Sequence, residues 1–347
     1  MPRSFLTRLL LASWHLVQAA VLLYGLSMCG YLLARAAIGE RWNVVAFANN
    51  FVPWWALGGA VAAGIALVSR RRWLLIPPNA PIIVMFVVSY GYLLLPRESE
   101  AGPADHGPAL TAATYNIIAS QSDPAHVVDV IADLDADITG LQELGPQHAA
   151  RVDEALAARY PYRVLYPLLP VHGVGLLSRY PIIDHTLFRP LPDSMLHLRA
   201  VLDVDGTLIT VYVVHPSPPR NVLLPFTYDD DRRNMEITIL REDYLQAEDG
   251  PLIVLGDFNM SDQSTPYRQM DALLTDAFRE AGRGLGFSFP DAQRSLFSGL
   301  PLLLRIDYVW HSAHFSALDA RVGHDSGTSD HRPVVAVLAF SPEFVKP

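Results

Sequence analysis

Hydrophobic and polar positions divide this chain into two regions of different rhythm. Up to Leu95 the apolar residues run almost unbroken. Leu9 to Ala34 has only weakly polar interruptions, and Phe51 to Val68 and Trp73 to Leu95 carry no charge. At 1.5 Å per residue each run is long enough to cross a hydrocarbon core of roughly 30 Å. The pattern predicts three transmembrane helices, about 9–34, 51–68 and 73–95, within a region 1–95. The first run is too long for the core of a signal peptide, and two more follow it. Pro77, Pro78 and Pro81 should kink the third span or delay its start. Gly58, Gly59, Ala60, Ala62, Ala63 and Gly64 make the second thin-walled, which suits close helix packing.

From Pro96 this rhythm stops. Residues 96–109 have no hydrophobic period and are read as a flexible linker. Over 110–347, short strand-like runs alternate with helical ones. Strands are expected at Leu110–Ile118, Ile138–Leu141, Tyr162–Leu165, Gly173–Ser178, Leu196–Val204 and Thr207–Val214, with Asp205-Gly206 as a hairpin turn. Helices are expected after Asp123-Pro124, after Pro146, and over roughly Asp231–Leu245. The run Leu252–Leu255 reads as a buried strand, after which Gly256 lets the backbone turn so that Asp257 and Asn259 point the same way. Ile306–His311, Ser316–Val322 and Val334–Phe340 close the series. Strands joined by hairpins, with helices between them, predict mixed or antiparallel sheets covered by helices, an α/β domain.

Charge sharpens the division. The chain of 347 residues holds 26 basic and 35 acidic side chains. Seven Arg and one Glu precede Arg97, leaving 19 basic and 34 acidic residues behind them, a formal −15. So acidic a region argues against nucleic acid as a partner, because that affinity comes mostly from cations meeting phosphates. Cys29 is the only cysteine, so no intramolecular disulfide is possible. Arg3, Arg8 and Arg70-Arg71-Arg72 are expected to stay on the cytoplasmic side. Three crossings then place everything after Leu95 outside: a multi-pass protein of the cell membrane with an extracytoplasmic catalytic domain and the bilayer beside it.

Polar residues collect at the predicted strand ends: Asn116, Glu143, His215, Asp257, Asn259, Asp307 and Ser329-Asp330-His331. Strand ends on one edge of a sheet sandwich converge, so these can build one pocket. Four carboxylates without cysteine favour a hard cation, Mg²⁺ or Mn²⁺. Histidines beside carboxylates are oriented and made more basic. The combination points to metal-assisted attack of water on phosphorus. Asp229-Asp230-Asp231 reads as a solvated helix start, and Arg179 as a structural hydrogen-bonder.

The phrases Thr-Tyr-Asn116, Leu-Gln-Glu143, Gly175-Leu-Leu-Ser-Arg-Tyr-Pro181, Val-His215, Gly-Asp257-Phe-Asn259, Arg-Ile-Asp307-Tyr-Val and Ser-Asp330-His331-Arg-Pro come in one order over about Leu110 to Phe340. In this the chain resembles the endonuclease/exonuclease/phosphatase superfamily. The resemblance implies a four-layer α/β sandwich of the DNase I-like kind, preceded here by the transmembrane region. It also implies roles. Glu143 is the main metal ligand, helped by Asn116, with Asp330 close to the metal. Asp257 positions and deprotonates the attacking water, and Asn259 hydrogen-bonds the phosphoryl oxygens. His331, oriented by Asp307, stabilises the pentacovalent charge, while His215 contacts phosphate or leaving group.

Three spans ahead of an outward-facing domain resemble the membrane phosphatases associated with glycopeptide resistance (VanJ-type), as does His215-Pro-Ser-Pro-Pro219. That resemblance implies a lipid-linked phosphate or pyrophosphate substrate, undecaprenyl pyrophosphate-like. Phe287-Ser288-Phe289-Pro290 departs from it, standing where a Thr-Trp-Pro-like segment is expected. The competing expectations are a sphingomyelinase-like phospholipid phosphodiesterase and, behind it, an extracytoplasmic nuclease.

Overall fold

The computed structural model describes residues 5–95, 107–169, 172–291 and 303–341. The linker expected at 96–109 lies outside the described residues as far as 106. The chain divides into two compact units. One comprises Met1–Leu95 with Asn221–Tyr228, the other Pro96–Arg220 with Asp229–Pro347.

The first unit is helical: α1 (Phe5–Ala37), α2 (Asn43–Asn49), α3 (Val52–Leu67), α4 (Arg72–Leu75) and α5 (Ala80–Tyr90). Two stretches, α1 and Arg72–Leu94, are long and apolar enough to cross a membrane. The pair α2 and α3, bent by 79°, makes a third if it is one span. The small face of α3 packs closely: a Cβ on Gly59 would lie 2.8 Å from Ile82. The proline-rich stretch does not break the third run but passes through a 3₁₀ turn, Pro77–Asn79. Asn79 donates its side-chain amide to Leu75 O, one turn back, at 2.8 Å and across to Val21 O of α1 at 3.2 Å.

The second unit holds two six-stranded sheets. In chain order its elements are β1 (Ala109–Asn116), α6 (Pro124–Leu134), β2 (Ile138–Gln142), α7 (Pro146–Leu156), β3 (Tyr162–Tyr166), β4 (Val174–Ser178), β5 (Ile182–Phe188), β6 (His197–Val204) and β7 (Thr207–Val214). Then follow α8 (Asp231–Ile239), β8 (Leu252–Asp257), α9 (Thr265–Asp271), β9 (Thr275–Asp276), α10 (Ala277–Ala281), β10 (Asp307–His311), β11 (Phe315–Val322) and β12 (Val334–Phe340). One sheet runs β11-β12-β1-β2-β4-β3, the other β5-β6-β7-β8-β10-β9. Each is mixed: β1 with β2 and β7 with β8 are parallel, joined through α6 and α8.

Apolar side chains from both sheets, among them Ile138, Leu176, Val211, Val213, Leu255 and Leu338, fill the space between them. The outer face of the first sheet is covered by α6 and α7 through Val127, Ile131, Val152 and Leu156. That of the second is covered by α8 and α9 through Ile237, Tyr267 and Met270. Two mixed sheets under helices are consistent with a DNase I-like α/β sandwich.

Three local expectations are corrected. Gly256 does not turn the chain; it lies inside β8, where a Cβ would come within 2.2 Å of Val214 O, so its role is close strand approach. The turn comes later, at Asn259, whose φ is 51°. Second, α8 ends at Ile239 and continues as a π turn, Leu240–Tyr244, rather than as one helix to Leu245. Third, β5 had no counterpart in the sequence pattern: it is a half-exposed edge strand without regular alternation.

Candidate active site

The two parallel pairs decide where the chemistry collects. Asn116, the last residue of β1, is in register with Gln142, the last of β2, and Val214 of β7 is in register with Gly256 of β8. The residues just beyond, Glu143, His215 and Asp257, therefore leave the carboxyl ends of these strands together, where α/β sheets characteristically present ligand sites. Asp307 enters from the antiparallel side, directly opposite Asp257. Glu143 has φ 57° and Asn259 φ 51°. Non-glycine residues in the left-handed region cluster at functional sites, where surrounding structure holds them.

Asp257 is the hub and is buried. Its Oδ2 accepts from Asn116 Nδ2 at 3.0 Å and lies 3.5 Å from His215 Nε2 and 3.7 Å from His331 Nε2. Its Oδ1 accepts the Asn259 backbone N–H at 2.8 Å. Burial alone would raise this carboxyl, but His331, His215 and the Asn259 N–H outweigh it and hold it below the usual range. Asp257 is thus ionised at neutral pH.

His331 is backed by Asp307, whose Oδ2 is 2.9 Å from His331 Nδ1. Burial would lower the imidazole, yet Asp307 and Asp257 outweigh it and push it up to about 10. A protonated ring facing Asp257 is the result. His215 is raised in the same sense: burial opposes, and Asp257 and Glu143 prevail.

Glu143 and Asp330 behave differently. Burial raises both carboxyls. Each also has one buried oxygen, Glu143 Oε2 and Asp330 Oδ1, with no hydrogen-bond partner among the described residues. Buried, unpartnered carboxylate oxygens are costly unless a cation satisfies them. Oxygen donors without sulfur suit a hard divalent ion, so these residues fit a metal. Asp257, Asp307 and His331 also offer ligand atoms within 4.8 Å of one another. The hydrogen bond between Asp307 and His331, however, already uses that face.

All eight predicted positions are brought to this edge, with differing engagements. Asn116 bridges Glu143 Oε1 at 3.1 Å and Asp257 with one amide nitrogen, and its Oδ1 accepts from Ile118 N. Asn259 donates Nδ2 to Pro216 O at 3.0 Å, which leaves that NH₂ group a second hydrogen. Arg179 is structural, bonded to Asp135 and Asp137.

Sequence reasoning named the segments around Ser288 and Ser329 without foreseeing the contacts by which they hold these residues, and it missed Glu236. Ser288 Oγ donates to Asp307, and the Phe289 ring lies 4.7 Å from that of His331. Ser329 Oγ donates to Asn116 O and accepts from His331 N. Buried Glu236 accepts from Ser217 N at 2.6 Å and Ser217 Oγ at 2.8 Å, fixing the loop after His215. The Asp229–Asp231 run is also corrected. Asp230 is buried and paired with buried Arg233, which donates to Asn259 O at 2.6 Å. The signal was Arg233 itself, three residues on and so on the same helix face.

The family model described as "Endonuclease/Exonuclease/phosphatase family" matches residues 113–331. No curated protein matches the chain by sequence. Among solved structures, an endonuclease/exonuclease/phosphatase from Bacteroides vulgatus is 18% identical, covering 67% of this chain and 100% of that one, with a TM-score of 0.54. One from Beutenbergia cavernae is 22% identical, covering 67% and 72%, at 0.53. A humanized D. rerio TDP2 is 15% identical, covering 66% and 98%, at 0.54. At such identities the likeness shows the fold. The family match spans most of the chain and every site residue, and on it the chain belongs to the endonuclease/exonuclease/phosphatase family, the metal-dependent hydrolases of phosphoester bonds.

Proposed function

We propose that this protein is a membrane-anchored phosphoesterase that hydrolyses a lipid-linked phosphate or pyrophosphate, undecaprenyl pyrophosphate-like, by in-line attack of water. The observation that carries this reading is the union, in one chain, of membrane-length apolar helices with a phosphoesterase site. Region 1–95 is the anchor, with three crossings and the triple Arg inside, and 110–347 is the extracytoplasmic catalytic domain. The formal −15 of the chain from Arg97 onward favours a small phosphate group at a membrane over a polynucleotide.

Each residue has a task. Glu143 would hold a divalent cation, Mg²⁺ or Mn²⁺, with Asp330 beside it and Asn116 fixing the Glu143 carboxylate. When bound, such an ion withdraws charge from the phosphoryl oxygens. Ionised Asp257 orients the water and accepts its proton as the oxygen–phosphorus bond forms. Protonated His331 and His215 face the charge that develops on the pentacovalent phosphorus and on the departing oxygen. The free Asn259 amide hydrogen serves a phosphoryl oxygen.

Purified full-length protein should release inorganic phosphate from undecaprenyl pyrophosphate in Mg²⁺, and Asp257→Ala should abolish the release. Activity untouched by Asp257→Ala would sink the mechanism. A phosphorylated head group as product, without inorganic phosphate, would make the protein a phospholipid phosphodiesterase instead.

A further inference from the structure

Asn221–Tyr228 (Asn-Val-Leu-Leu-Pro-Phe-Thr-Tyr) is the longest uncharged apolar loop among the described residues of the second half of the chain. Its large side chains are not tucked away: Leu223 is 70% exposed, Leu224 59%, Phe226 77%, and Val222 is exposed as well. The base of the loop is closed. Arg220 and Asp229 exchange backbone hydrogen bonds in both directions, at 2.8 and 3.1 Å, and their side chains form an ion pair. Thr227 N and Leu224 N bond back within the loop, so it is a built turn that pushes its apolar residues outward. Exposed apolar clusters of this kind mark a surface that meets something other than water.

What it meets is indicated by its other end. The eight residues pack as part of the compact unit formed by α1 to α5. Tyr228 is buried there; its ring lies edge-on to Phe47 at 5.8 Å, and its hydroxyl receives Asn50 Nδ2 at 3.2 Å. Phe47 meets Phe51 at 5.2 Å, and Phe51 meets Trp55 at 6.1 Å. This aromatic chain sits where α2 bends into α3, beside the end of α1. There Arg35, Glu40 and Asn49 form a hydrogen-bonded polar knot. Aromatic rings with polar tips, next to the last polar groups of a membrane-length helix, are the composition of a membrane–water boundary.

We propose that Val222, Leu223, Leu224 and Phe226 insert into the acyl region of the bilayer from this aromatic level, making the loop a lipid-engaging tip. The tip begins six residues after His215 and is joined to it by Pro216-Ser217-Pro218-Pro219, whose Ser217 is fixed to Glu236. Insertion therefore brings lipid to a stretch only six residues along the chain from a phosphate-facing histidine. This rests on the reading that the substrate is lipid-borne.

The test uses the full chain in nanodiscs of phosphatidylcholine and phosphatidylglycerol. With Cys29→Ser in place, an environment-sensitive fluorophore on Phe226→Cys should emit to the blue of the same label on exposed Glu154→Cys. Lipids carrying nitroxide on the acyl chain should quench it at least twofold. Water-like, unquenched emission at Phe226→Cys overturns the proposal, whatever the substrate. Leu223→Asp with Leu224→Asp should release the label to water. The same pair should lower kcat/KM for undecaprenyl pyrophosphate in nanodiscs at least tenfold, while leaving hydrolysis of a water-soluble aryl phosphate unchanged. Equal loss on both substrates overturns the lipid-presenting role. An inserted label on a chain that hydrolyses no lipid phosphate supports the tip and removes the substrate reading instead.

Discussion

Ser288 Oγ donates to Asp307 Oδ2 at 2.6 Å, the same oxygen that lies 2.9 Å from His331 Nδ1. One carboxylate oxygen thus takes two donors, which fixes the plane of Asp307 and through it the imidazole that faces Asp257. Removing the hydroxyl leaves the charges in place and loosens the orientation. Ser288→Ala should lower kcat about tenfold with little change in KM, whereas His331→Ala should cost about 10²–10⁴-fold, the range of a lost acid–base partner. Steady-state kinetics on both variants checks this. An unaltered kcat in Ser288→Ala would show that Phe289 and Asp307 suffice to hold the ring.

Glu143 offers a different handle. Its Oε1 is taken by Asn116 and its Oε2 has no protein partner among the described residues. Glu143→Gln keeps the shape and removes the charge. It should weaken Mn²⁺ binding, read by calorimetry, by at least tenfold, and raise the metal concentration needed for half-maximal activity in step. Chelation should silence the unsubstituted protein and Mg²⁺ or Mn²⁺ should restore it. Metal binding unchanged in Glu143→Gln would move the ion elsewhere.

The parts of this architecture that could be read in advance were those set by local rules. The left-handed hairpin residues Asp205 and Gly206, with φ of 52° and 90°, were announced by their dipeptide. Asp123 caps α6 by accepting from Ala125 N, as an acid before Pro124 should. The site acids were visible because ordered motifs stand at strand ends. What was hidden depends on distance in the chain. Nothing near Ser288 shows that it will meet Asp307, nor does anything near Glu236 point to Ser217 or Ser194. Gly256 was misread because a glycine required for close strand approach looks, in sequence, the same as one required for a turn.

Glu236 is a buried acid that lies outside the reacting group and invites its own experiment. It accepts from Ser194 Oγ at 2.7 Å and from both donors of Ser217, with half-exposed Arg232 at 3.1 Å. Glu236→Ala orphans those donors, and a buried network broken on one side costs roughly 2–4 kcal/mol. Melting of the purified protein should show that loss. Glu236→Gln, which retains the acceptor oxygen, should recover most of the stability, yet it should leave KM raised severalfold, because one donor–acceptor pair is now mismatched and the loop after His215 is less fixed. Equal stability of Glu236→Ala and the unsubstituted chain would place the loop under other control.

His197 sits wholly buried at the start of β6, its ring edge-on to Phe188 at 5.3 Å. Burial pushes its imidazole from 6.5 down to about 3. In the folded chain it therefore stays neutral until about pH 3, while in the unfolded chain it takes up a proton near pH 6.5. Between those values the unfolded state binds more protons, so stability must fall as pH falls through the window. The slope from this one group is at most about 1.4 kcal/mol per pH unit. Above pH 6.5 neither state is protonated and the contribution is flat. His197→Phe removes the titration while keeping an apolar ring against Phe188. Melting temperatures of the two proteins, measured from pH 8 to 4, should run parallel above 6.5 and diverge below it, with the variant losing less. Curves that stay parallel to pH 4 would mean that the ring is protonated in the fold and that a partner holds its charge.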